Sequence, residues 1–201
     1  NAKLRDKYYE SNSKKNDFSV FSKATFKVSD GISLYTDLQF RKVNYSTNGL
    51  TSDRDPINVD KTFNFFNPKF GATYTLNENQ HVYFSFAVAN KEPNRNDFEN
   101  GISTPENLND YELGWRLKSE SITLNTNVYY MLYKNQLVLT GAIDNVGAPV
   151  RATSGKSYRL GLEIDADIKI SNHFSVRPNI ALSNNKNTDF VSSVNGSLTD
   201  L

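Results

Sequence analysis

Glu163, Asp165 and Asp167 recur at every second residue of the run SYRLGLEIDADIKIS, 157–171. Carboxylates at that spacing share one face of a β-strand, where they could take a divalent cation or divide the work of acid and base. Same-face neighbours lie about 6.6–7 Å apart, however, and Arg159 and Lys169 bracket the three acids. Compensated charge along a wall accounts for the pattern better than a metal or catalytic site. His81 and His173 sit beside short turns of different hairpins, and neither has a ligand-type neighbour. Gly155-Lys156-Ser157 imitates the end of a phosphate-binding loop, but Val150 stands where the first glycine is required, and a strand follows where a helix is needed. No serine occupies a nucleophile elbow. The sequence therefore assigns no catalytic residue, no metal site and no cofactor.

The strand carrying these acids is the clearest element of the chain. Tyr158, Leu160, Leu162, Ile164, Ala166, Ile168 and Ile170 fall on one side, and Arg159, Gly161, Glu163, Asp165, Asp167 and Lys169 on the other. About thirteen residues at roughly 3.3 Å each reach about 43 Å, against about 5–6 residues for an ordinary strand. Such length predicts a wall rather than a small sandwich.

Composition agrees. Hydrophobic residues are only 37% of the 201, yet there are 13 Phe and 11 Tyr, as expected when alternate positions are free to be polar. No stretch approaches the roughly 18 apolar residues of a membrane helix, which leaves a membrane barrel open. Lysine and arginine number 23 against 22 acids, interspersed, so nothing favours nucleic acid as a partner. Without cysteine there is no disulfide framework and no thiolate chemistry. The first residues do not form a signal peptide, and Asn1-Ala2 is compatible with a tag remnant, so the start says little about localisation.

Read for period two, the chain predicts an all-β, antiparallel up-and-down meander of about eight long strands, part of a transmembrane β-barrel. The expected strands are 18–28, 32–45, 61–76, 82–88, 111–117, 121–139, 158–170 and 174–183. Short turns alternate with long polar connections at 46–60, 90–109 and 140–156, and a polar tail follows from 184. In a meander this places all the short turns at one rim, as in outer-membrane barrels, whereas Greek-key connections would scatter the long loops. The organisation is then a polar segment 1–16, a barrel portion 17–186 and a truncated loop 187–201. Gly114 lies between Glu112 and Arg116, and Gly161 between Arg159 and Glu163. With Asp165, Asp167 and Lys169, these charged residues are the predicted lumen lining, while Tyr111, Trp115 and Tyr158 suit an interfacial girdle. Pro68 and Pro178 predict ladder breaks.

Several stretches resemble the barrel strands of TonB-dependent outer-membrane receptors: Phe66-Asn67-Pro68-Lys69-Phe70-Gly71-Ala72, Val82-Tyr83-Phe84-Ser85-Phe86-Ala87, Lys91-Glu92-Pro93-Asn94, Tyr111-Glu112-Leu113-Gly114, Leu132-Tyr133-Lys134-Asn135-Gln136-Leu137 and Gly155 to Glu163. Each is loose; their order covers about residues 18–184. The resemblance implies a 22-stranded barrel with an N-terminal plug, importing an iron chelate, cobalamin or an oligosaccharide with energy relayed by the TonB complex, in the outer membrane of a Gram-negative bacterium. This chain shows neither plug, TonB-contact segment nor terminal aromatic strand. It is expected to be a transport-incompetent portion whose partners are outer-membrane lipid, the plug and the remaining barrel.

Recognition would fall to the long loops, with Arg95, Asp97, Phe98, Asn145 and Arg151 as ligand-contact candidates. The cations would attract an anionic iron chelate; Phe98 or Asn145 would serve a sugar equally well. Two other readings stand beside this one: a complete eight-stranded outer-membrane barrel and a soluble carbohydrate-binding sandwich. Open edges predict self-association of the isolated chain.

Overall fold

A computed structural model describes residues 7–144, 147, 149–189, 191–194 and 197–200, the last two segments as backbone alone. The strands are β1 (Ser11–Lys27), β2 (Ile32–Leu50), β3 (Pro56–Asn77), β4 (Gln80–Lys91), β5 (Glu106–Lys118), β6 (Ile122–Ile143), β7 (Pro149–Ser171), β8 (Phe174–Val176) and β9 (Asn179–Asn187). Each pairs antiparallel with its predecessor, except that β8 and β9 both pair with β7 and together make the eighth strand of the meander. A separate hairpin, β10 (Val191–Val194) and β11 (Ser197–Asp200), follows.

The prolines act as the missing amide demands. Pro178 falls in the gap between β8 and β9. Pro68 keeps its register with Leu38 on β2, but the ladder from β3 to β4 stops at Lys69. The short rim is closed by local hydrogen bonds. Asn79 N–H donates to Asn77 Oδ1 at 3.0 Å, Ser119 N–H to the Ile122 carbonyl at 2.8 Å, and His173 N–H to Ser171 Oγ at 3.3 Å.

Three expected loops are shorter than the polar composition suggested. β2 and β3 run through most of 46–60, leaving 51–55 as the connection; β6 and β7 run through most of 140–156; and β4 and β5 enter 90–109 from both sides. A one-turn helix, α1 (Arg95–Glu99), stands in that last connection. β1 likewise begins at Ser11, within the polar segment 1–16.

Register turns alternation into two continuous surfaces. One row runs Phe26, Leu34, Ala72, Phe84, Leu113, Val128, Leu162, Leu182, each residue opposite the next, with no polar member. The adjoining row on the other face runs Thr25, Tyr35, Gly71, Ser85, Glu112, Tyr129, Gly161, Ser183. The apolar face is uncovered: Phe26 is 55% exposed, Leu113 53% and Leu182 61%. Among the described residues the buried apolar side chains are Val43, Ile57, Phe63, Phe65 and Phe98, and they lie on the polar side of the sheet. A soluble sandwich needs its apolar face inside; here the faces are inverted, as in a wall between lipid and an aqueous lumen.

Candidate functional site: the lumen wall and the loop folded over it

The predicted lumen residues share one face, each held differently. Glu112 accepts from Ser85 Oγ at 3.2 Å. Arg116 stacks over Tyr83 at 4.6 Å, and Arg159 over Tyr133 at 5.1 Å. Asp165 accepts from Asn125 Nδ2 at 3.2 Å, and Asp167 pairs with Arg177 Nε at 2.8 Å. Glu163 stands opposite Asn127 and Lys169 opposite Ser175. The carboxylates are thus spread among separate partners. The neutralising partner of Asp167 is Arg177, which alternation on a single strand did not identify.

The glycines of the polar face, Gly114 and Gly161, have a packing reason. A Cβ at Gly114 would come within 2.2 Å of the Tyr83 ring, and one at Gly161 within 2.3 Å of the Tyr129 ring. Each tyrosine ring occupies the space over the glycine of the next strand, and Tyr83 Oη donates to Asn127 Oδ1 at 3.1 Å. Glycine here makes room for an aromatic cover on the polar face.

At the long-loop end the connection after β4 folds onto this same face. Glu92 anchors it. Its carboxylate takes Arg41 Nη1 and Nη2 at 2.8 and 2.9 Å and Lys15 Nζ at 2.7 Å, while Arg41 also pairs with Asp17. Burial works to raise the Glu92 carboxyl, but the Arg41 and Lys15 hydrogen bonds outweigh it and hold the group down at about 2. α1 starts with a capping box, in which Asp97 N–H donates to Asn94 Oδ1 at 3.1 Å and Asn94 N–H to Asp97 Oδ2 at 2.8 Å.

The loop candidates therefore have these places. Arg95 donates to Ser11 Oγ at 2.6 Å and pairs with Glu99 at 2.7 Å. Asp97 is fully buried, and its second oxygen lies 3.7 Å from Arg151 Nη1 on β7. Phe98 stacks on Tyr45 at 5.2 Å and closes the small core of Val43, Phe63 and Phe65. Arg151 is 41% exposed at its side chain. Asn145 lies outside the described residues. Four candidates thus meet around α1, which ties β1, β2 and β7 together across the polar face.

Beside α1, an open cleft of about 220 Å³ is lined by Asp53, Asp55, Glu99, Asp144, Asn96 and Asn100, among others. Burial, then the neighbouring Asp144, Asp55 and Glu99, raises the Asp53 carboxyl above its usual value.

A family model described as TonB dependent receptor-like, beta-barrel, matches residues 1–200. No curated protein matches in sequence. Among solved structures, the siderophore receptor PiuA of Acinetobacter baumannii is 19% identical with a TM-score of 0.75, over 94% of this chain and 28% of its own. The ferric-catecholate import receptor Fiu of E. coli K12 is 19% identical at 0.66, over 90% and 29%. The alcaligin receptor FauA of Bordetella pertussis is 15% identical at 0.66, over 89% and 31%. The chain thus spans less than a third of each of these receptors. An exposed apolar face, a polar inner face with tyrosine-covered glycines and a family model running from residue 1 to residue 200 converge: the chain belongs to the TonB-dependent receptor family and forms part of its β-barrel.

Proposed function

We propose that this chain is a portion of an outer-membrane receptor of a Gram-negative bacterium that imports a metal chelate, a ferric siderophore first among the cargo classes, with energy relayed by the TonB complex. The observation that carries the reading is the uninterrupted apolar row from Phe26 to Leu182, uncovered and directly beside a polar row on the opposite face. Such a sheet needs lipid on one side and water or a plug on the other. The named cargoes of PiuA, Fiu and FauA favour a siderophore over cobalamin or an oligosaccharide. Of the loop candidates among the described residues, Arg151 is best placed to meet an anionic chelate, because its side chain is partly exposed and its ion pair with Asp97 is long, at 3.7 Å. Asp97, Phe98 and Arg95 hold the loop that presents it.

The test is uptake by the full-length receptor in a strain lacking its own siderophore receptors. Uptake of radiolabelled iron chelates that vanishes with loss of TonB supports the reading, and Arg151→Gln should then raise the half-saturating chelate concentration about tenfold, the effect of losing one charge-assisted contact. Uptake indifferent to TonB would sink it, and uptake of cobalamin or oligosaccharide alone would change the cargo.

A further inference from the structure

A groove runs down the polar face from the loop end toward the short turns, and small residues on β3 and β4 give it its depth. Gly71, Thr73 and Ser85 make its floor, with Tyr35 on β2 and Tyr83 on β4 standing on either side of β3. A Cβ at Gly71 would meet the Phe84 carbonyl at 3.3 Å and the Tyr35 ring at 3.8 Å, so any side chain there would take up the space beside that ring. This upper part holds about 470 Å³. His81 and Arg116 line it and also line a wider cleft of about 930 Å³ at the short rim, so the two are continuous. Both fall within the roughly 300–1,000 Å³ of small-molecule sites.

Three cations mark the length of the groove. Lys69 stands at its upper end, Arg116 at the junction and Lys118 in the lower cleft. All three are exposed, and among the described residues none has an ion-pair partner. Tyr83 holds Arg116 at the junction, with the guanidinium 4.6 Å from its ring. Register sets the spacing: β3 descends from Lys69 to Thr75, Thr75 is opposite His81, His81 is opposite Arg116, and Lys118 is the next residue of that face. About eight residues at roughly 3.3 Å each and a tilt of about 40° descend about 20 Å, most of the roughly 25 Å apolar band of an outer-membrane wall. The carboxylates are placed otherwise. Glu112 in the groove accepts from Ser85 Oγ at 3.2 Å, and Glu78 and Glu120 belong to the turns at the mouth. Conduction of an anion needs attraction enough to enter and several sites weak enough to leave, and spaced cations without fixed partners meet both conditions.

We infer that this groove is the descent path of an anionic chelate along the wall, with Lys69, Arg116 and Lys118 as positioning residues that receive its negative charge in turn on the way from the loop end to the short rim. The inference rests on the receptor reading above. It assigns to passage a set of residues separate from Arg151, which serves capture.

The experiment uses the full-length receptor in a strain lacking its own siderophore receptors, with radiolabelled ferric catecholate and ferric citrate as anionic probes. Binding to de-energised cells and initial uptake rate are measured separately. The triple variant Lys69→Gln, Arg116→Gln, Lys118→Gln should lower the maximal uptake rate about tenfold while binding and the half-saturating concentration stay within about twofold of wild type. Arg151→Gln should do the reverse. The charge-retaining triple Lys69→Arg, Arg116→Lys, Lys118→Arg should keep at least about half of the wild-type rate, and Lys42→Gln, on the outward face, all of it. An unchanged maximal rate in the glutamine triple overturns the path, as does a raised half-saturating concentration alone, which would make the groove a capture site. Equal loss in the charge-retaining triple also overturns it, because the groove would then be read by shape, as a seat for the plug is. Gel mobility before and after heating shows that the variants remain folded barrels. Wild-type uptake that is absent or indifferent to TonB overturns the receptor reading itself, and the path with it.

Discussion

Glu92 is the side chain on which the inward-folded loop depends. It is 9% exposed and shared between Arg41 and Lys15, so truncating it leaves Arg41 with Asp17 alone and removes the carboxylate that pairs with Lys15. Its carboxyl is depressed to about 2 from an ordinary 4.5, and a depressed acid stabilises the fold fully above its unfolded value and loses that contribution as pH falls toward its folded one. The difference is about 3 kcal/mol. Amide protection across residues 92–99 should therefore fall between about pH 4.5 and 2, and Glu92→Gln should show the same loosening at neutral pH with the acid step gone. Unchanged protection over that interval would refute the anchor. Part of this site was legible in the sequence. Asp17 and Arg41 lie on matching parities either side of the turn at Ser29-Asp30-Gly31, which fixes their register. Glu92 was not, since it reaches Arg41 across 51 positions from a segment with no period of its own. The tyrosine covers over Gly114 and Gly161 were hidden for a similar reason: cross-strand pairing, not single-strand parity, brings Tyr83 and Tyr129 onto them.

Among the strands, alternation was readable only where the outward face is apolar throughout. β3 spans Pro56–Asn77, yet its period-two signal is confined to its lower half, and β6 and β7 likewise continue above the band to Ile143 and from Pro149. Above the band polar residues occupy both parities, so the strand reads as loop. The strand count and the alternating connections survived because the turn signals at the short rim are local. If the outward row is the lipid face, a cation at its middle must be costly while one on the inner face is not. Leu113, between Phe84 and Val128, occupies that middle position. Leu113→Arg in the full-length receptor should destabilise the barrel by about 2–4 kcal/mol in a reversible urea titration from bilayers, whereas Asn125→Arg, facing the lumen beside Asp165, should change stability by under about 1 kcal/mol. Equal effects at the two positions would mean that the faces have been assigned the wrong way round.

At the scale of the whole molecule, the sheet is a wall that, among the described residues, has two unpaired borders. β1 pairs with β2 alone and β9 with β7 alone, so Ser11–Lys27 and Asn179–Asn187 each present a row of unused backbone donors and acceptors. In the related receptors, each about three times as long, neighbouring strands have room to take those places. Isolated in water, this chain has the same unsatisfied edges and also an apolar surface with Phe18, Val20, Phe66, Phe84, Leu113 and Leu182 all about half exposed or more. A contiguous apolar patch of that extent drives association, and unpaired strands give it a geometry, so copies should join edge to edge and face to face. Light scattering of the 201-residue chain without detergent is expected to give masses well above 22.7 kDa that fall when a mild detergent covers the apolar face. Detergent alone leaves the borders unpaired, so the remaining association should yield only to added peptides matching the missing neighbours, or to charged substitutions along Ser11–Lys27. A monomer that persists on dilution in plain buffer would require the two borders to meet and the apolar row to turn inward, which is the soluble arrangement that the observed register opposes.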